Sequence, residues 1–191
     1  MPFPRPPRTL RAIGFDDAPF GHLAAKRVRI FGAVCAGTRF EGLVAGSVRR
    51  DGWNATDEIV RLLRGGKFLP QIHLVLIDGI AFGGFNVVDL HELSIQLGKP
   101  CVAVMRRPPR FPLIEAALRR LPSPDRRLLR IARAGPVHVV PTFVFQVQGA
   151  GADETADALR RLTDRGNVPE ALRLAHLIGA AVVHGESGRR A

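Results

Sequence analysis

The chain has 191 residues, enough for one domain with a substantial core. Hydrophobic residues make up 46%, which excludes a disordered chain, and the formal net charge is +11. That imbalance leaves the fold open but favours polyanionic partners, and nucleic acid is the commonest polyanion. Three of the cations are Lys and 25 are Arg, the better bidentate phosphate ligand. Cys35 and Cys101 lie in apolar runs and form no CxxC spacing. This argues against zinc and suits reduced thiols in a cytoplasmic protein. No apolar stretch approaches a membrane span, and the lead-in MPFPRPPRTLR lacks an apolar signal core.

In chain order, LRAIGF (10–15) reads as a strand that runs into Asp16-Asp17-Ala18-Pro19. VRIFGAVCA (28–36) and FEGLVAGSVR (40–49) read as two more, and their short connections predict an antiparallel meander. The period then changes. ATDEIVRLLR (55–64) has helical spacing, with Asn54 or Thr56 as N-cap candidates. IHLVLI (72–77) is a continuous apolar run suited to a buried central strand, and it exits at Asp78-Gly79. A glycine-rich loop, DGIAFGGFN (78–86), precedes a helix over 87–97 and a buried strand CVAVM (101–105), which ends at Arg106-Arg107. Helices are expected over 112–121, 124–133, 154–165 and 169–181, and short strands over 137–140 and 143–147. Residues 1–9 and 185–191 are expected to be loose. A meander followed by alternating strands and helices predicts a single α/β domain. Its expected form is a ribonuclease-H-like mixed sheet, three antiparallel strands and then parallel strands, flanked by helices.

Several residues could carry chemistry. Asp16, Asp17 and Asp78 sit at strand C-terminal ends, the edge where ligands bind in open α/β sheets. Asp57 lies in a first helical turn, where a carboxylate is well tolerated. Taken singly, each acid also fits an ordinary turn or helix start. Brought together, Asp16, Asp57 and Asp78 would repel one another unless they held a cation. Mg²⁺ or Mn²⁺ accepts such oxygen ligands and activates water toward a phosphodiester. Arg106 and Arg107 would stand near the same edge to meet a phosphate. The glycines of the 78–86 loop permit close approach to a ligand, and Phe82 or Phe85 could stack on a base, although a plain turn with core phenylalanines has the same composition. His176 lies among Leu174, Leu177 and Ile178, a setting equally ordinary for a packed helix.

The segments GFDDAPF, DGWNATDEI, LIDGIAFGGFNVVDL and NVPEALRLAHLIG, with the late GESGR, resemble the endonuclease dU family. These are archaeal proteins long grouped as a domain of unknown function and related to endonuclease V. The likeness runs from about residue 11 to 189. It implies a metal-dependent endonuclease that cuts nucleic acid near a deaminated base, with DNA ahead of RNA as partner. It further implies that Asp16, Asp57, Asp78 and His176 are catalytic, the three aspartates holding the metal and His176 acting as a ligand or proton shuttle. Asp17, Arg106 and Arg107 become accessory or phosphate-binding residues. Gly79, Phe82, Gly83, Gly84 and Asn86 become a pocket for an extruded base. Endonuclease V carries a Pro-Tyr-x-Pro wedge before its helical acid. Here that stretch reads RRDGWN (49–54), and Trp53 is the residue there able to wedge between bases. The alternative reading is a non-catalytic nucleic-acid-binding protein on the same fold; a phosphatase of small phosphates is a third.

Overall fold

The computed structural model of the chain describes residues 3–21 and 26–188. In chain order the elements are β1 (Arg11–Asp17), β2 (Arg27–Ala36), β3 (Arg39–Arg49), α1 (Ala55–Leu63) and β4 (Leu74–Asp78), then the short strands β5 (Ala81–Phe82) and β6 (Asn86–Val87). They continue with α2 (Leu90–Leu97), β7 (Cys101–Met105), α3 (Phe111–Leu118), α4 (Pro124–Arg133), β8 (His138–Val140), β9 (Phe143–Gln148), α5 (Ala152–Arg161) and α6 (Glu170–His184). Among the described residues the main sheet has seven strands in the order β3-β2-β1-β4-β7-β9-β8. The meander β1-β2-β3 is antiparallel, as expected. β4 joins β1 in parallel, β7 joins β4 in parallel, and β9 and β8 return antiparallel. This is the mixed, helix-flanked ribonuclease-H-like sheet that the element order predicted.

Alternation along the strands divides the core in two, because successive side chains point to opposite faces. Ile13 and Phe15 of β1 and Val75 and Ile77 of β4 pack with Ile59, Val60 and Leu63 of α1 and with Leu90, Leu93 and Leu97 of α2. Ala12, Leu74, Leu76, Val102 and Val104 face the other way, toward Leu159 of α5 and Leu172 of α6. Each fully buried Leu, Ile or Phe contributes about 1.5–3 kcal/mol. A third, small cluster lies beyond the sheet. There Val87, Leu118 and Ile131 join the partly buried Ile80, Phe85, Ile114 and Leu128, so the hairpin β5–β6 and the pair α3–α4 pack on each other.

Two local expectations are corrected. Neither Asn54 nor Thr56 caps α1 with its side chain. Asn54 Oδ1 instead accepts from the Arg49 amide and Asn86 Nδ2, while Thr56 Oγ1 accepts from the Asp89 amide. The Ala55 amide at the start of α1 donates to Asn86 Oδ1, a cap supplied from another segment. The lead-in, expected to be loose, is tied to α5 over its described part: Arg161 donates to the carbonyls of Pro4 (2.7 Å) and Arg8 (3.0 Å). At the other end the expected loose stretch extends to 189–191, outside the described residues. Cys35 and Cys101 are buried free thiols. No described helix is long and apolar enough to cross a membrane.

Candidate metal centre

The register of β1 on β4 pairs Gly14 with Leu76 and Phe15 with Ile77. One residue further, Asp16 and Asp78 therefore stand side by side at the C-terminal ends of adjacent parallel strands. Both share the face of Ala12, Leu74 and Leu76, the side covered by α6. Asp17, one residue later, points to the opposite face. Its Oδ2 accepts from the Gly83 amide at 2.6 Å and anchors the glycine-rich hairpin.

α6 crosses β1, β2 and β4 at close range because small residues line the contact. Ala171, Ala175 and Gly179 recur every fourth position and are buried. A Cβ on Gly14 would stand 2.6 Å from the backbone of Ala171 and Leu172, and a Cβ on Gly179 would stand 3.1 Å from Ala18 Cα. The approach brings His176 to Asp16: Nδ1 lies 2.8 Å from Oδ2. The other Asp16 oxygen accepts from the Asp17 amide at 2.8 Å.

Among the described residues, Asp16, Asp78 and His176 form a group able to hold a metal ion, with ligand atoms all within 4.8 Å of one another. Burial, reinforced by the neighbouring Asp78, pushes the Asp16 carboxyl up to about 7, against the opposing pull of His176. Burial also raises Asp78, partly countered by Arg106 and His176. It raises Asp17 too, where the Gly83 amide works the other way. Two carboxylates and an imidazole, crowded and poorly hydrated, are a donor set that a hard divalent cation fits, because its charge removes the penalty of ionising them. Arg106 follows β7 on the same edge, with Nη2 3.8 Å from Asp78 Oδ2. Half-exposed, it can answer the charge of an incoming phosphate. Arg107 is exposed.

The structure does not bring every expected residue to this centre. Asp57 is exposed on α1 and stands outside the cluster, whose third potential donor is His176. The buried stripe of α1 is Ala55, Thr56, Ile59, Val60 and Leu63, and Asp57 lies off that stripe. Phe82 is 1% exposed and belongs to the main core, so it cannot stack on a base. Asn86 is wholly buried, and its bonds to Ala55, Arg49 and Asn54 make it a clasp for the start of α1. Gly79, Gly83 and Gly84 all take positive φ. A Cβ on Gly84 would meet Asp51 Oδ1 at 2.4 Å, so this glycine serves the close approach of Asp51 to the hairpin. Trp53 is held by the guanidinium groups of Arg126, Arg127 and Arg130, at 4.8, 4.3 and 5.0 Å from its ring, and this counts against a free wedge.

Sequence reading missed Arg127. It is the largest fully buried side chain, and it donates to the carbonyls of Asp51, Gly52 and Phe85. It thereby fastens α4 to the RRDGWN segment and to the hairpin whose Gly83 holds Asp17. The repeated Arg of PDRRLLRIAR carries no local sign of which guanidinium turns inward.

Comparison with known proteins agrees with the fold. A UPF0215 protein of Deinococcus radiodurans is 44% identical over 191 residues, covering 98% of this chain and 97% of that one. The crystal structure of a protein of unknown function from Archaeoglobus fulgidus has a TM-score of 0.86 at 31% identity, covering 92% of this chain and 99% of that one. Endonuclease V of Ciona intestinalis, solved with a DNA containing an inosine followed by a ribo-adenosine, shares the fold at a TM-score of 0.53 and 12% identity. It covers 88% of this chain and 83% of that one. The family model for endonuclease dU matches residues 8–183, and the chain belongs to the endonuclease dU family.

Proposed function

We propose that this protein is a divalent-metal-dependent endonuclease that cuts a phosphodiester next to a deaminated base, deoxyuridine or inosine, in DNA, as a cytoplasmic step of DNA repair. The observation that carries the reading is the partly buried Asp16–Asp78–His176 cluster at the C-terminal sheet edge of a strongly basic chain of this family. A surface that only bound nucleic acid would gain nothing from crowded carboxylates beside the phosphates, and this weighs against the non-catalytic alternative.

Asp16 and Asp78 would hold Mg²⁺ or Mn²⁺ with the His176 imidazole. The ion would supply water activation and charge stabilisation at the leaving oxygen. Without an ion, Asp16 Oδ2 and His176 Nδ1 share a hydrogen bond in a setting that favours keeping a proton. Arg106, with Nη2 3.8 Å from Asp78 Oδ2, would meet the phosphate. Asp17 contacts no ligand in this scheme and fixes the hairpin beside the site through Gly83. Gly79, beside whose Cβ position no atom lies within 4 Å, leaves the backbone at the start of that hairpin open to a base. The relative solved on inosine-containing DNA supports substrates of that class.

The substrate is tested with end-labelled duplexes that carry one deoxyuridine, one inosine or no lesion, incubated with Mg²⁺. Nicking confined to a lesion-bearing strand, with 3′-hydroxyl and 5′-phosphate ends, is expected. Equal cutting of all three duplexes would refute the deaminated-base reading.

A further inference from the structure

Two excursions leave the sheet edge that carries the metal centre. The hairpin β5–β6 departs directly after Asp78, and α3–α4 departs just beyond Arg106, so the small cluster joining them stands next to the site. Residues 106–133 contain nine Arg and two acids, Glu115 and Asp125, a net +7 in a chain of net +11. Several of these cations have internal partners. Arg127 and Arg130 bind carbonyls, Arg133 pairs with Asp89 and Arg119 with Glu115.

The approach to α3 is different. Arg107 and Arg110 are exposed, and so are the three apolar residues that follow: Phe111 (48%), Pro112 and Leu113 (61%). Single exposed apolar residues need no explanation, but a run of three directly after Arg110 and beside the proposed metal centre does. Five residues of chain span at most about 18 Å. Phe111 is thus within about five nucleotide steps, at about 3.4 Å each, of the Arg106–Asp78 contact. Cations for the backbone beside apolar side chains for unstacked bases are the two parts used by proteins that pry bases apart.

We infer that residues 107–113 form a clamp on the substrate strand, in which Arg107 and Arg110 bind phosphates flanking the one cut while Phe111 and Leu113 pack against bases and unstack the nucleotide that enters the site. This rests on the nuclease reading above.

The experiment uses the full chain with Asp78→Asn, in EDTA, and a duplex with 2-aminopurine next to a single deoxyuridine. Binding is followed by anisotropy and unstacking by 2-aminopurine fluorescence. The parent is expected to brighten the probe. Adding Phe111→Ala and Leu113→Ala is expected to abolish most of that rise and weaken binding by about tenfold, as loss of base stacking does. Both side chains are exposed, so thermal unfolding should be unchanged. Arg107→Ala with Arg110→Ala should lower the slope of log affinity against log salt by about 1.8, for two phosphates. Unchanged brightening and affinity in the Phe111/Leu113 variant would overturn the clamp, even if the native sequence nicks the same duplex with Mg²⁺. Loss of a dimer in that variant, with DNA binding intact, would assign the patch to a second copy of the chain and also overturn it. A native sequence that neither binds nor nicks the duplex would remove the nuclease reading itself.

Discussion

Replacing Asp16 with Asn should stabilise the metal-free protein at alkaline pH and leave it unchanged in acid. In the unfolded chain the Asp16 carboxyl titrates near 3.8, and in the folded protein burial and the neighbouring Asp78 push it up to about 7. Between those values the folded state holds a proton that the unfolded state has released. Stability attributable to this group is therefore full below the lower value and falls as pH rises through the higher one. A separation of about 3 in pKa corresponds to about 4 kcal/mol. Asp78, the neighbouring carboxyl that burial also raises, shares the effect, so a gain of about 2–4 kcal/mol is expected at pH 8. In a domain of this length that is about 5–15 °C in Tm. Asn keeps the local bonding: Oδ1 still accepts the Asp17 amide, and Nδ2 can donate to His176 Nδ1. The assay is thermal or urea unfolding of both proteins in EDTA at pH 4, 6 and 8. Destabilisation at pH 8, or the same difference at pH 4 and pH 8, would refute the reasoning. The stabilised variant should also lose its affinity for Mn²⁺, since the group that strains the fold is the one that holds the ion.

Two other substitutions test how the centre is positioned. Gly14→Ala places a methyl 2.6 Å from the backbone of α6 and should cost about 1–3 kcal/mol by overpacking. It should also weaken Mn²⁺ binding, read by calorimetry, because α6 must lift His176 away from Asp16; normal affinity would show that the seating of the helix is not critical. Arg127→Met strips charged donors from the buried carbonyls of Asp51, Gly52 and Phe85 and should cost about 3–5 kcal/mol in urea unfolding. Trp53 is the single tryptophan and stacks on Arg127, so its emission should shift to the red in the folded variant. An unchanged spectrum would contradict the proposed tie between α4 and the RRDGWN segment.

Much of this site can be read from residue order. A continuous apolar strand ending in an acid locates Asp78, and the meander's first strand does the same for Asp16; their pairing then needs only a parallel β1–β4 register. The helix acid is harder. Spacing marks Asp57 as first-turn but does not give its direction around the axis, and the stripe Ala55, Thr56, Ile59, Val60, Leu63 turns it to solvent. The same stripe was partly legible from the apolar positions. His176 came forward only through family likeness, although the four-residue rhythm Ala171, Ala175, Gly179 was a sign of close helix seating. The glycine-rich loop misled in detail. Its glycines do serve close approach, but Phe82 and Asn86 are turned inward by a hairpin that packs on the core, and no local pattern distinguishes that from an open binding loop.

The central claim is that Asp16, Asp78 and His176 hold the ion that drives cleavage. It is tested most directly by nicking of a deoxyuridine duplex, with Mg²⁺ titrated into chelator-treated protein, for the native chain and for Asp78→Asn. No cutting in EDTA, restoration by Mg²⁺ or Mn²⁺ in the native chain, and almost no cutting by the variant at any Mg²⁺ concentration are expected. Full activity in EDTA, or native rates in Asp78→Asn, would contradict it.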